Sequence, residues 1–262
     1  MPFKDYLGEL TGLGINAGVT FTLYHVIRIG EEVLHNLKNT EEIEVNSNLV
    51  TELIERGGSA VSCVKGIVRA DGTVIKSVVR PEVTGVVWKK TIKEHLVAQV
   101  MGFWTNDQRT VDEVTSNVPF LIMNKGIGVK VNDPAKLDMA DLTVVSEKFE
   151  PATNSLADHV WGWMKGVRPT GTQQTEEMLV EGTRVLGVGR LVLREQEIHL
   201  EHTDLVPYVV TTSDMKTLIE NHESPLPWLR FLAFLTSCGA AYYAYRVITN
   251  FERWRGEAKG RK

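Results

Sequence analysis

Two apolar stretches, one near each end, constrain this chain more than any single residue does. The first runs without a charge from Leu10 to Ile27; the second runs without a charge from Phe231 to Tyr245. The second extends to Leu226–Ile248 if Arg230 and Arg246 snorkel toward the interface. A hydrocarbon core about 30 Å thick needs about 20 apolar helical residues, so each stretch is read as a membrane span. Asn16, His25 and three glycines dilute the first. A cleavable leader fits it poorly, because Asp5 and Glu9 stand where a basic segment belongs and Arg28-Ile29-Gly30 follows where a small-x-small site belongs. The second carries Trp228, Phe231 and Phe234 early and Tyr242, Tyr243 and Tyr245 late, the placement of an interfacial aromatic belt.

Two spans put both termini on one side of the membrane and the middle on the other. The tail holds Arg246, Arg253, Arg255, Lys259, Arg261 and Lys262 against Glu252 and Glu257, and basic flanks favour the cytosolic face. The expected organisation is a cytosolic segment (1–9), a span (10–28), an enclosed lumenal or intermembrane-space domain (29–225), a second span (226–248) and a basic cytosolic tail (249–262). Residues 225–262 carry seven basic and two acidic residues and the first 28 carry two of each, so of the formal net charge of −4 about −9 lies in the middle. Phosphate backbones need a basic surface, so nucleic acid is excluded as a partner. The lipid bilayer is an expected one.

The enclosed domain reads as α+β, strand-rich and mainly antiparallel. Val61–Val68 alternates like a strand, and Asp71-Gly72 signals a hairpin before Thr73–Val79. Gly85–Val100 mixes alternation with β-branched residues. Val118–Met123 and Gly128–Val131 flank Asn124-Lys125-Gly126, a second hairpin. Leu142–Val145, Thr183–Arg194, Glu197–Leu200 and Tyr208–Thr211 supply further strands. Helices are expected at Asn48–Arg56, from Ser155 with Leu156, Val160 and Trp163 on one face, from Thr175 with two acids in its first turn, and over Ser213–Asn221.

Catalytic signals are weak. Cys63 and Cys238 are the two cysteines, one on a strand and one in a span, which makes neither a disulfide framework nor a zinc site. Cys63 is expected to be a buried structural thiol. His199 and His202 point to opposite faces of a strand and read as solvated rather than as a ligand pair. Gly182–Gly189 lacks the strand-to-helix setting of a phosphate loop. No catalytic, cofactor-binding or metal-binding residue is expected from these patterns.

One run differs in kind: Gly166-Val-Arg168-Pro169-Thr-Gly171-Thr-Gln173-Gln174-Thr175-Glu176-Glu177-Met178-Leu179, then Gly182 and Leu186-Gly187-Val188-Gly189. With Glu147-Lys-Phe149-Glu-Pro151, Val118-Pro119-Phe120 and Gly102-Phe103-Trp104-Thr105 it resembles the mitochondrion-anchored protein ligases, membrane ubiquitin or SUMO ligases of the outer membrane. Their middle portion is the GIDE, or BAM, domain. Arg190 departs from the family, which tends to place an acid there. The resemblance covers the first span, the enclosed domain, the second span and a basic juxtamembrane segment.

In that family the cytosolic tail continues into a RING finger whose two zinc ions present a ubiquitin-conjugating enzyme. This sequence stops at Lys262 without a C-x-x-C pair, so the RING is expected to be missing, zinc is expected only for that missing domain, and no catalytic residue carries over. The resemblance implies a role in mitochondrial organisation and protein ubiquitination, with peroxisome or endoplasmic reticulum as alternative membranes. The alternative function is a non-catalytic scaffold or sensor that assembles with intact ligases. Expected partners are a second copy, an intact ligase or a lumenal protein; a ubiquitin-conjugating enzyme is expected only if a RING is present. Gly166, Arg168, Pro169, Gly171, Gln173, Thr175, Glu176 and Glu177 are the candidate motif positions. Arg168-Pro169 with Gly166 and Gly171 is expected to form a constrained loop packing the Trp163 and Thr175 helices together. The spans are expected to pack, with each other or between copies, through Gly14 and Gly18 and the ridge Ala233, Ser237, Ala241.

Overall fold

A computed structural model describes residues 2–46, 48–100, 103–152 and 167–260. The chain divides into two compact units, Met1–Asn39 with Met215–Lys262, and Thr40–Asp214. Helices α1 (Pro2–Lys38), α3 (Met215–Glu223) and α4 (Leu226–Gly260) make the first unit, and α2 (Leu49–Glu55) belongs to the second.

In the helical unit α1 and α4 run antiparallel, tied at several levels. Arg246 donates to the buried Glu9 carboxylate (3.0 Å) and Asn250 to its other oxygen (2.5 Å). Thr20 donates to Thr236 Oγ1 (2.9 Å), and Arg230 pairs with Glu31 (2.7 Å). Lys38 reaches Glu223 of α3 (3.1 Å). Gly12 lies against the Tyr243 ring and Gly239 against the Asn16 amide. Within one chain the expected packing of the two spans through Gly14 and Gly18 is therefore corrected. Ala233 is buried as anticipated, but Gly14 and Gly18 have nothing near them and point away from α4, because α1 turns the Glu9-Gly12-Asn16-Thr20 row toward it. The Leu7–Lys38 portion of α1 is the one helix among the described residues that is long and apolar enough to cross a membrane. Arg230, Arg246 and three tyrosines lower the hydropathy of α4.

The second unit contains two sheets. The first comprises β1 (Glu41–Glu42), β2 (Ser59–Ala70), β6 (Phe120–Asn124), β7 (Ile127–Val131), β8 (Met139–Ala140), β11 (Arg184–Arg194), β12 (Glu197–Glu201) and β13 (Val209–Thr211). Five of these close on themselves: β2 pairs with β6, β6 with β7, β7 with β12, β12 with β11, and β11 with β2 again. Full closure removes free edges from this part of the sheet. The bore holds Val64, Val68, Phe120, Ile122, Val129, Leu191 and Leu200, and the apolar side of α2 adds Leu49 and Leu53 to the same core. So small a bore leaves no room at Gly187, where a Cβ would lie 2.6 Å from Ile122 and 3.0 Å from Leu200. Cys63 is fully buried on β2, as expected, and burial pushes its thiol up to about 11.

The second sheet is a ribbon of β9 (Thr143–Pro151), β10 (Val167–Val180) and β4 (Thr84–Val100), with β5 (Phe103–Asn117) and the short β3 (Ile75–Lys76) both against β4. Strands of 14 to 17 residues carry β10, β5 and β4 far past the barrel core. The hairpin at Lys125-Gly126 forms as expected, and so do α2, α3 and the strands at Gly85–Val100, Thr183–Arg194, Glu197–Leu200 and Tyr208–Thr211.

Other expectations fail in this unit. Asp71-Gly72 does not close a hairpin: the following β3 pairs with β4, so this turn carries the chain out of the barrel into the ribbon. The Thr175 helix is instead the strand β10; its threonines suit a pleated surface, and no helical apolar stripe supports the alternative. His199 is buried on the barrel strand β12, its Nδ1 sharing a 3.0 Å hydrogen bond with the Asn132 amide, while His202 is exposed. The expected helix with Leu156, Val160 and Trp163 lies outside the described residues.

Candidate functional site

The motif positions lie along β10, the middle strand of the ribbon, flanked by β4 and β9. Gly166 lies outside the described residues. Arg168 and Pro169 stand opposite Val97 and Leu96, in strand rather than in the expected loop. A register shift between Pro169 and Gly171 accommodates the proline, which has no N–H for a regular ladder. Thr175 lies between Thr91 and Glu147, and Glu177 between Lys89 and Val144. The strand brings Gly171 with Gln173 into one side-chain cluster and Glu176 into another.

The first cluster is built around a ring over a glycine. Gly171 is buried beneath Phe149, and a Cβ there would also lie 2.7 Å from the Glu150 carbonyl oxygen. His95, directly across from Gly171, packs edge-on to Phe149 with centroids 5.4 Å apart. Its Nε2 shares a 2.6 Å hydrogen bond with Gln173 Oε1, and the Gln173 amide donates to Glu147. Phe149, His95, Gln173 and Glu147 thus form one continuous chain across three strands.

The second cluster centres on Glu176, which is only 4% exposed. Its carboxylate accepts from the Trp88 indole (2.6 Å), the Val78 N–H (2.7 Å), the Ser77 hydroxyl (2.9 Å) and the Val79 N–H (3.3 Å). Burial alone would push this carboxyl up, but the donors from Trp88, Val78, Ser77 and Val79 more than offset it and hold it below the usual range. Ser77 Oγ in turn accepts from the Arg80 N–H (2.9 Å), so one carboxylate organises the whole 77–80 turn. The sequence pattern places Trp88 and His95 in the Gly85–Val100 strand and Ser77 in Thr73–Val79, and assigns none of them a role. The available signal was that a buried indole requires an acceptor.

This arrangement suits rigidity: one carboxylate ties the 77–79 segment and Trp88 of β4 to β10. A carboxylate held ionised by four donors neither gives nor takes a proton near neutral pH. The Cys63 thiol is buried and protonated, far from nucleophilic. Among the described residues no group of three or more His, Cys, Asp or Glu could hold a metal ion. An open cleft of about 480 Å³ elsewhere on the unit is lined by Glu41, Glu42, Glu44, Glu52 and Arg56. Three of its acids are neutralised by Arg56, Lys65 and Lys125.

A family model described as GIDE, E3 ubiquitin ligase, matches residues 89–244, from within β4 to within α4. The chain belongs to this family. The relatives it resembles include the Drosophila melanogaster "Mitochondrial E3 ubiquitin protein ligase 1", 30% identical over 204 residues that cover 76% of this chain and 60% of the relative. The Mus musculus "Mitochondrial ubiquitin ligase activator of NFKB 1" is 28% identical over 93% of this chain and 72% of its own length. The Homo sapiens protein of that name is 29% identical over 89% and 70%. The matched part of this GIDE-family chain thus spans three-fifths of the fly relative's length. No solved structure matches it.

Proposed function

We propose that this chain is the membrane-anchoring, partner-presenting part of a mitochondrial ubiquitin or SUMO ligase. Two helices hold it in the outer membrane, with both termini in the cytosol and residues 29–225 in the intermembrane space. The family match carries this reading, and the relatives' mitochondrial names support the organelle. The surface of the helical unit supports both spans. Ile15, Phe21 and Tyr24 on α1, and Trp228, Phe234, Tyr242 and Tyr245 on α4, are all exposed, a surface that water disfavours and lipid accepts. Arg230 and Arg246 of α4 are paired with Glu31 and Glu9, which offsets much of the cost of bringing charge to the edge of the hydrocarbon. Helices of 37 and 35 residues, at about 1.5 Å per residue, outrun a hydrocarbon layer of about 30 Å.

In this reading the ribbon carrying Gly171, Gln173 and Glu176 is a recognition platform for a protein in the intermembrane space, and the conjugation chemistry is not performed by these 262 residues. A RING would need sets of cysteine and histidine ligands. The two cysteines here are a buried thiol of raised pKa and a residue within α4, which do not fit zinc. The same observation favours a second reading, a non-catalytic scaffold that pairs with intact ligases. Reading the transcript beyond Lys262 separates the two: coding sequence with C-x-x-C pairs supports the ligase, and a stop codon supports the scaffold.

Topology is tested in intact mitochondria. Protease should remove a tag at either terminus and spare Asn48–Asn221. A cleaved middle with protected tags overturns the proposed orientation. Loss of one tag alone overturns the two-span topology.

A further inference from the structure

The strand β5 stands at the edge of the ribbon. It pairs with β4 from Val87↔Asn117 to Val100↔Phe103, and among the described residues no strand covers its other side. Residues 103–116 are all exposed. A 15-residue edge left open in this way is a template for another strand.

Its irregularity says which strand. The pairing shifts between Ile92↔Asp112 and Lys93↔Thr110, so Val111 is an extra residue that switches the alternation of faces. Before the bulge, Asp107 and Arg109 share a face with Leu96 and Glu94 of β4; after it, Asp112 and Val114 continue that same face opposite Ile92 and Lys90. Gln108 donates its N–H to the neighbouring Asp107 carboxylate (2.9 Å), which marks that N–H as turned to the free edge. Alternation then turns outward the backbone of even-numbered residues before the bulge and of odd-numbered residues after it.

We propose that β5 docks a second copy of this chain, edge to edge and antiparallel, about a two-fold axis midway between Thr110 and Val111. At this register Arg109 stands opposite the partner's Asp112 and, by symmetry, Asp112 opposite the partner's Arg109. Both belong to the same face, in a non-hydrogen-bonded pair where side chains approach most closely. Gln108 stands opposite the partner's Glu113, and both turn their backbone outward, so they form a hydrogen-bonded pair. The two bulges meet at the axis and cancel. An axis moved by half a residue sets outward backbone against inward backbone. Moving it a full residue toward the N-terminus opposes Asp107 to the partner's Asp112, and a full residue the other way leaves Arg109 against the partner's Val114. Faces, charges and hydrogen-bonding phase therefore agree at one register. Anchoring in a membrane would raise the effective concentration of such an edge.

The test uses the full chain in detergent carrying Gln108→Lys, treated with a carbodiimide that joins an amine directly to a carboxylate. The expected product is a dimer whose cross-linked peptide joins position 108 of one copy to Glu113 of the other. Along one strand these two positions lie about 16 Å apart, too far to join within a chain. Adding Arg109→Asp should lower this cross-link by about tenfold through two like-charge pairs, and adding Asp112→Arg to that variant should restore it. Circular dichroism checks that the exposed substitutions leave the fold intact. Absence of the 108–113 cross-link, indifference to Arg109→Asp, or failure of the double reversal to restore it each overturns the proposal.

Discussion

The Trp88 indole donates to Glu176 Oε1 at 2.6 Å, joining β4 to β10 through the least exposed acid of the ribbon. Three further donors from the 77–79 segment complete the carboxylate shell without any lysine or arginine. Removing the carboxylate leaves buried donors without an acceptor, which costs more than removing one donor. Glu176→Leu should therefore destabilise the chain by about 3–5 kcal/mol, and Trp88→Phe by about 1–2 kcal/mol. Urea unfolding of the two single variants and the double variant measures this. The double variant should lose clearly less than the sum, because Trp88 has no acceptor to lose once Glu176 is gone. Strict additivity would show that the pair is not coupled.

The same carboxylate sets a pH dependence. Glu176 and Asp141 are both held below their ordinary values. For each, burial opposes the shift and hydrogen bonds more than offset it, those of Asp141 coming from Thr211, Thr212 and Ser213. A carboxyl depressed in the folded state contributes stability that is fully present above its unfolded value and lost as pH falls through the folded one. The unfolded values are 4.5 for Glu176 and 3.8 for Asp141. The melting temperature should thus stay level above about pH 5 and fall steadily below it. Glu176→Gln should melt lower at pH 7 and show a shallower acid slope. An unchanged slope in that variant would remove Glu176 from the acid response.

Gly171 is required by packing rather than by backbone freedom. Its missing Cβ is the space occupied by the Phe149 ring and bounded by the Glu150 carbonyl. Gly171→Ala should destabilise by about 2 kcal/mol through overpacking. Phe149→Ala in the same chain should recover part of that loss but not all, since the carbonyl remains. Full recovery in thermal melts would assign the whole clash to the ring.

How much of this was legible follows from where water sits. The hairpin at Lys125-Gly126 and the strands β11 and β12 announce themselves because one face is in the barrel core and turn residues separate them. The ribbon is solvated on much of both faces, so β5, with Asn106, Asp107, Gln108 and Arg109 in succession, has no apolar alternation to reveal it. The acids Glu176 and Glu177 imitate a helix N-terminus in sequence, although in space one of them binds a turn 98 residues earlier. Gly171, Gln173 and Glu176 stood out by family resemblance alone. Their partners Phe149, His95 and Trp88 come from strands distant in sequence, so their roles required the register. His199 was misplaced for the converse reason, since its burial depends on the closure of the barrel, which no local pattern encodes.

The turn between β11 and β12 provides a final check. Glu195 and Gln196 occupy its two central positions with φ of +49° and +69°, the left-handed region that disfavours residues with a Cβ. Two-residue hairpins of this hand ordinarily carry asparagine and glycine. Barrel closure holds the strained pair in place through the ladder from Arg190↔Glu201 to Arg194↔Glu197. Replacing Gln196 by glycine relieves the local strain, while the unfolded chain gains freedom and offsets part of the benefit. Gln196→Gly should raise stability by about 0.5–1 kcal/mol, and Gln196→Val should lower it, because a β-branched residue tolerates positive φ worst. Urea midpoints for the two variants should fall on opposite sides of the parent; a shift of both in the same direction would mean that the turn is not strained.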